Sequence, residues 1–134
     1  MFELDQILKQ DTFFIKDLKL CKLLLMNNAL YPWLILVPKK PDLTEIIDLS
    51  SDDQILLIEE IALISKIVKQ LFKAEKLNIA ALGNVVKQLH IHIIARYKND
   101  KLFPKPVWSD NARQYYDKVQ SDLIIDKVRK NITI

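Results

Sequence analysis

The sequence predicts an α+β domain: a mainly antiparallel sheet of about five strands, with one long helix and a C-terminal helix on one side. Three observations carry this. The elements run as strands, a long helix, more strands and a final helix, which is not a repeating βαβ order. Residues 51–73 carry one apolar stripe at helical spacing. Residues 33–37 form a continuous apolar run between Pro32 and Pro38, the mark of a buried strand.

The elements follow in order. Residues 1–9 place Phe2, Ile7 and Leu8 at roughly helical spacing, a short helix. Residues 12–15 and 19–26 read as two short strands joined by a tight turn at Lys16-Asp17, and Asn27-Asn28 supplies turn chemistry after the second. The long helix over 51–73 opens on Ser51 and Gln54 as a capping box, with Asp52 and Asp53 in the first turn; Leu57, Ile61, Ile64, Val68 and Leu71 form its stripe. Residues 78–82 read as a strand, Gly83-Asn84 as a turn and residues 88–96 as a further strand. Residues 103–106 are irregular and held by Pro104 and Pro106. Residues 110–130 read as the last helix, capped by Ser109.

No repeat, linker or composition shift divides the chain, so residues 1–134 are expected to form a single domain. The net charge of +3 tolerates an anionic ligand but is not the dense basic footprint of a duplex-binding protein, and no nucleic-acid partner is expected. Cys21 is the lone cysteine, so no intrachain disulfide forms; a small buried hydrophobe is its expected role. Charges at Glu3, Asp5 and Lys9 fall where a secretion signal would begin its apolar region, and no apolar run approaches the roughly 20 residues of a membrane span. A soluble cytoplasmic protein is expected, without membrane association.

Both histidines of the chain lie in the segment Gln88-Leu89-His90-Ile91-His92. On a strand, alternate side chains share a face, so Gln88, His90 and His92 would line one side while Leu89, Ile91 and Ile93 pack into a core. A neutral imidazole is a good nucleophile near neutrality and can attack phosphorus to give a phosphoramidate. A second imidazole about 7 Å along the same face could bond phosphate oxygens or assist a leaving group. Gln88 can hold a phosphate or orient a histidine but cannot transfer protons. Half-exposed sheet histidines, or a metal hemisite completed by a carboxylate, fit the same pattern; one cysteine and no third histidine support a structural zinc site poorly.

The stretch from Leu82 to Tyr97 resembles the signature of the histidine-triad (HIT) family of nucleotidyl hydrolases and transferases, His-φ-His-φ-His-φ-φ with φ apolar. Ile94-Ala95-Arg96 matches the Ile-Pro-Arg-like tripeptide that often follows. Tyr31-Pro32-Trp33-Leu34-Ile35-Leu36-Val37-Pro38-Lys39 resembles the strand leading into the family's Val-Pro-Lys-type turn, and residues 43–49 before the long helix keep the family order. The match runs from about residue 20 to 110. Aligned on the tripeptide, the middle histidine is His90, the third is His92 and the first position holds Gln88. The alternative register, with His92 in the middle, would break the polar row at Ile94 and lose the match at Arg96. A bacterial branch resembling diadenosine tetraphosphate hydrolases carries Gln-Leu-His-φ-His here, so the resemblance implies a variant enzyme.

The resemblance implies a bound nucleotide, with adenine the expected base, and a nucleotidyl-histidine intermediate on His90 that water cleaves. His92 would stabilise phosphate or leaving group, with Gln88 and Asn84 positioning the substrate. Asn28, with Asn27 beside it, would lie near the ribose. Trp33 and Phe14 are candidates to line the base pocket, although either could be plain core, the commoner role of an aromatic. Arg96 could pair with phosphate or with Asp100, the ion pair being favoured. Trp108 resembles the branch's Pro-φ-Trp element and would close the pocket or anchor the last helix. Lys87 and Lys105 could attract a polyphosphate. No cofactor is required for the covalent step and no protein metal site is expected, although Mg2+ could accompany a polyphosphate substrate. The resemblance also implies a homodimer whose sheets join across the interface. The opposing expectations are a non-enzymatic nucleotide-binding or sensing protein on the same scaffold, and a metal enzyme.

Overall fold

The computed structural model describes residues 1–133. Five strands form one open antiparallel sheet: β1 (Thr12–Asp17), β2 (Cys21–Met26), β3 (Trp33–Pro38), β4 (Lys76–Ala80) and β5 (Ile91–Arg96), in the order β1-β2-β3-β5-β4. Among the described residues three α-helices accompany it: α1 (Gln6–Asp11), α2 (Ser51–Leu71) and α3 (Lys118–Asn131). The expected α+β architecture is therefore found. No helix among the described residues is long and apolar enough to cross a membrane.

The pleat divides the strands between two cores. Leu23, Leu25, Leu34, Leu36, Ile91, Ile93 and Ala95 face one way and pack with Leu57, Ile64 and Val68 of α2 and Ile125 and Val128 of α3. On the other face Leu24, Trp33, Ile35, Val37 and Ile94 pack with Leu8, Val86 and Val107. That second face has no long helix on it, and it is the one that carries His92, since residue 92 has the same parity as Ile94.

Several boundaries move for tertiary reasons. The first helix begins only at Gln6, because Asp5 caps it: its Oδ1 accepts from the Ile7 and Leu8 backbone N–H groups at 2.8 and 3.4 Å. The turn between β1 and β2 falls at residues 18–20 rather than Lys16-Asp17. There the buried Glu60 of α2 accepts hydrogen bonds from the Leu20 and Cys21 backbone N–H groups at 2.8 and 2.9 Å. Ser50, not Ser51, caps α2, accepting from Asp53 N–H at 3.2 Å. The buried stripe of α2 runs through Leu57, Glu60, Ile64, Ile67 and Val68, with Ile61 and Leu71 at its margin. The fourth strand sits two residues earlier than expected, and the chain bends at Asn84-Val85 just after the expected turn. The last helix starts at Lys118, capped by Asp117 and Gln120 in a reciprocal box, because residues 110–117 run extended against Asn27 and Asn28.

Cys21 is buried beside Glu60. Burial, and then the Glu60 carboxylate, push its thiol well above the ordinary range, so it behaves as a small apolar group.

Truncating Glu60→Ala leaves two buried backbone donors unpaired. Chemical denaturation should show a loss of roughly 2–4 kcal/mol, and a smaller one for Glu60→Gln, which keeps one acceptor oxygen.

Candidate functional site: paired imidazoles beside a cleft

The largest departure from the expected layout is at the histidines. The strand begins at Ile91, so Gln88 and His90 belong to the irregular segment of residues 81–90, not to a continuous row on one face. The two imidazoles still meet, with ring centroids 4.7 Å apart and planes at 73°. Both rings are buried.

Their hydrogen bonds determine where each ring carries its proton. His90 Nδ1 lies 2.7 Å from the Gln88 carbonyl oxygen, which can only accept, so Nδ1 holds a proton and Nε2 is the nitrogen that presents a lone pair in the neutral tautomer. His92 Nδ1 lies 3.0 Å from Trp33 Nε1, an indole N–H that can only donate, so Nδ1 accepts and Nε2 carries the proton. Among the described residues, His92 Nε2 is one of three buried side-chain polar atoms without a partner. Burial, and next the neighbouring His90, push the His92 imidazole down to about 4; the Leu82 carbonyl opposes the shift without bonding Nε2. His92 is thus neutral at pH 7, with an unmet N–H.

A cleft of about 740 Å3 opens beside His90. Gly83, Asn84, Lys87 and Gln88 form one wall, and Thr44 to Ile47, around a single 3-10 turn, form the other. The Leu43 carbonyl accepts from Leu89 N–H at 2.9 Å and joins the two walls. Gly83 is needed for close approach: a Cβ there would lie 2.7 Å from the Val86 carbonyl oxygen and 3.9 Å from His90 Cε1. Asn84 is exposed on the cleft.

Gln88 reaches away from the histidines with its side chain. Its Oε1 accepts from Asp5 N–H and its Nε2 donates to the Glu3 carbonyl, each at 2.9 Å. It fastens the N-terminal segment, and only its main chain touches His90. Trp33 holds His92 in place of lining an open base pocket. Its register opposite Ile94 sets it diagonally across from His92 on the same face. Asn27 and Asn28 are not brought to the cleft: Asn27 Oδ1 accepts from Tyr116 N–H at 2.9 Å, and buried Asn28 bonds Leu30 N–H at 3.1 Å and Gln114 N–H at 3.4 Å. Phe14 lies about half-exposed in a second, smaller groove with Phe2, Leu4, Lys9 and Lys22. Lys87 lines the cleft, whereas Lys105 gives its carbonyl to Arg96.

Arg96 makes the expected ion pair and is buried. Its Nε donates to Asp100 Oδ2 at 2.9 Å, and its Nη groups reach Asp100, Asn78 and the Lys105 carbonyl. Burial alone would raise the Asp100 carboxyl; the Arg96 guanidinium and the Tyr97 and Phe103 N–H groups outweigh it and bring it down to about 2. This brace holds the loop that carries Trp108, whose ring packs edge-on against His92 at 5.1 Å and Trp33 at 6.0 Å. Among the described residues no three His, Cys, Asp or Glu side chains are grouped to hold a metal ion.

The family model for the HIT domain matches residues 8–99. The chain belongs to the HIT family. A histidine triad protein from Bradyrhizobium japonicum is 45% identical, with 98% of each chain covered and a TM-score of 0.95. One from Sinorhizobium meliloti is 39% identical over 98% of this chain and 97% of its own, also at 0.95. The diadenosine triphosphate hydrolase of Plasmodium falciparum, solved with cyclomarin A, shares the fold at 20% identity and a TM-score of 0.63, covering 97% of this chain and 79% of its own. No curated protein matches the chain. The HIT family includes nucleotide hydrolases and transferases. Within this HIT domain, the sequence carries two histidines and a glutamine across the signature.

Gly83→Ala should lower stability by roughly 1–3 kcal/mol through overpacking, and shift the His90 resonances in NMR spectra. His92 makes stability depend on pH. Its folded value lies below the unfolded 6.5, so the unfolded chain binds the proton more readily between pH 6.5 and about 4. Stability should fall on acidification through that window, by at most about 1.4 kcal/mol per pH unit, and level off below it. Denaturation series at several pH values should show this slope missing in His92→Asn.

Proposed function

We propose that this HIT protein cleaves a nucleotide phosphoanhydride or phosphoramidate, of dinucleoside polyphosphate type, through a nucleotidyl-histidine intermediate on His90. One observation carries the reading: two imidazoles in contact are held by partners of opposite kind, a carbonyl on His90 Nδ1 that leaves Nε2 free to attack and an indole N–H on His92 Nδ1 that leaves its Nε2–H unmet. Such a pair suits nucleophilic displacement at phosphorus.

In this mechanism His90 Nε2 attacks the α-phosphorus. The N–P bond forms and the bond from phosphorus to the leaving oxygen or nitrogen breaks, with the electron pair going to the leaving group. The Gln88 carbonyl, already bonded to Nδ1–H, stabilises the imidazolium that develops. His92 Nε2–H donates to a phosphate oxygen or to the leaving atom once Trp108 or the exposed residues 82–85 yield to substrate. Water then attacks phosphorus, the N–P bond breaks with its electron pair returning to His90 Nε2, one proton of the water passes to solvent, and a nucleoside monophosphate leaves with His90 restored. Asn84 and Lys87 stand in the cleft to meet phosphate or sugar. Phe14 and Phe2 offer stacking surface for an adenine base better than Trp33 does, since Trp33 is engaged. The covalent step requires no metal; Mg2+ enters only with a polyphosphate substrate.

Gln88 at the first signature position supports a reading in the diadenosine tetraphosphate hydrolase-like branch, with Gln88 acting as a fastener and main-chain acceptor. The open sheet leaves β1 and β4 as edges, which suits a homodimer of joined sheets. A cytoplasmic setting fits the single, buried, unpaired thiol. A non-enzymatic nucleotide sensor on the same scaffold is the second reading, favoured by the complete burial of His92 Nε2.

Incubation with diadenosine tetraphosphate and with an adenosine phosphoramidate separates the two. Turnover should be present in the native protein and fall by about a thousandfold or more in His90→Ala. Equal turnover in both would remove His90 as nucleophile, and binding without turnover would establish the sensor.

A further inference from the structure

We propose that Trp33 is a positioning residue: its indole N–H locks the His92 ring with Nε2 protonated, making His92 a permanent donor toward a phosphate held at His90. The proposal deepens the nucleotidyl-transfer reading above and rests on it for its catalytic part, but not for its structural part.

The geometry singles out Trp33. The Nε1–Nδ1 bond is 3.0 Å long and both partners are buried. An indole donates only and does not titrate, so it enforces one tautomer at every pH at which His92 is neutral. Turning the ring over would put the Cδ2–H group, which cannot accept, against the indole N–H and lose the bond. The ring is also confined by His90 at 4.7 Å and Trp108 at 5.1 Å, both edge-on. His90 is held in the opposite sense by a carbonyl, a group that accepts only. Two non-titrating partners thus favour complementary tautomers on adjacent rings.

Among the described residues no other side chain hydrogen-bonds His92. Both ends of the Gln88 side chain are bonded to main chain of the N-terminal segment. Trp108 packs on His92 through its ring face and edge and makes no hydrogen bond to it. Arg96 is occupied by Asp100, Asn78 and Lys105. A phenylalanine at position 33 would keep most of the apolar packing while deleting the donor, which makes the role separable from the fold.

Nitrogen-15 NMR of the imidazoles in the native protein is the first test. His92 should show a protonated Nε2 and an acceptor-type Nδ1, with the indole proton of Trp33 coupled to that Nδ1; a protonated Nδ1 overturns the proposal whatever the enzyme does. Trp33→Phe should lose the single tautomer and lower kcat by about a hundredfold with KM little changed, the size of a correctly placed proton donor's contribution. Trp33→His, which can still donate, should recover part of that loss and bring a new pH dependence. Retention of both the single tautomer and kcat in Trp33→Phe overturns the proposal. Should the native protein turn over neither nucleotide, the functional reading fails, while the tautomer result still decides the role of Trp33.

Discussion

The rest of the site depends on the buried Arg96 guanidinium. It sits at the end of β5 and reaches β4 through Asn78, the following loop through Asp100, and the next stretch through the Lys105 carbonyl. Asp100 in turn accepts from the N–H groups of Tyr97, Leu102 and Phe103. A desolvated charge is tolerable only with its partners in place, so the network holds together or fails together. The rings of Tyr31 and Phe103 flank the guanidinium at 5.4 and 5.5 Å and exclude water. What the brace achieves is indirect: it fixes the route of residues 97–109, and hence Trp108 against His92.

The site is divided between regular and irregular backbone. His92 is on a strand and inherits its direction from the ladder with β3, which also brings Trp33 across. His90 lies outside the ladder, and its orientation comes from one short bond to the carbonyl two residues earlier and from a wall that only a glycine can build. The strand gives His92 rigidity, and the coil lets His90 face the cleft with its Nε2 free of protein partners.

The fold was largely legible because it rests on local signals. The run from Trp33 to Val37, the period of α2 and the β-branched core side of β5 each name their element from a few residues. What was not legible depends on contacts distant in sequence. The β1–β2 turn is set by Glu60, 40 residues from Leu20; the start of α3 is set by Asn27 and Asn28 holding residues 113–116 in extended form. In the site, the pairing of His90 and His92 could be read from spacing, as could Asn84 beside the lone glycine. The duties of Gln88 and Trp33 could not. Gln88 is bonded 83 residues away to Asp5, and Trp33 59 residues away to His92, and nothing in either neighbourhood announces those partners.

One consequence of the aromatic packing is optical. The chain has two tryptophans, and both indoles lie against the same imidazole. All indole emission from this protein therefore originates within a few ångströms of the paired imidazoles. A proton arriving on His92, or a displacement of Trp108, alters the polarity around both fluorophores at once. The site carries its own spectroscopic label, in a chain whose four tyrosines make the main competing signal.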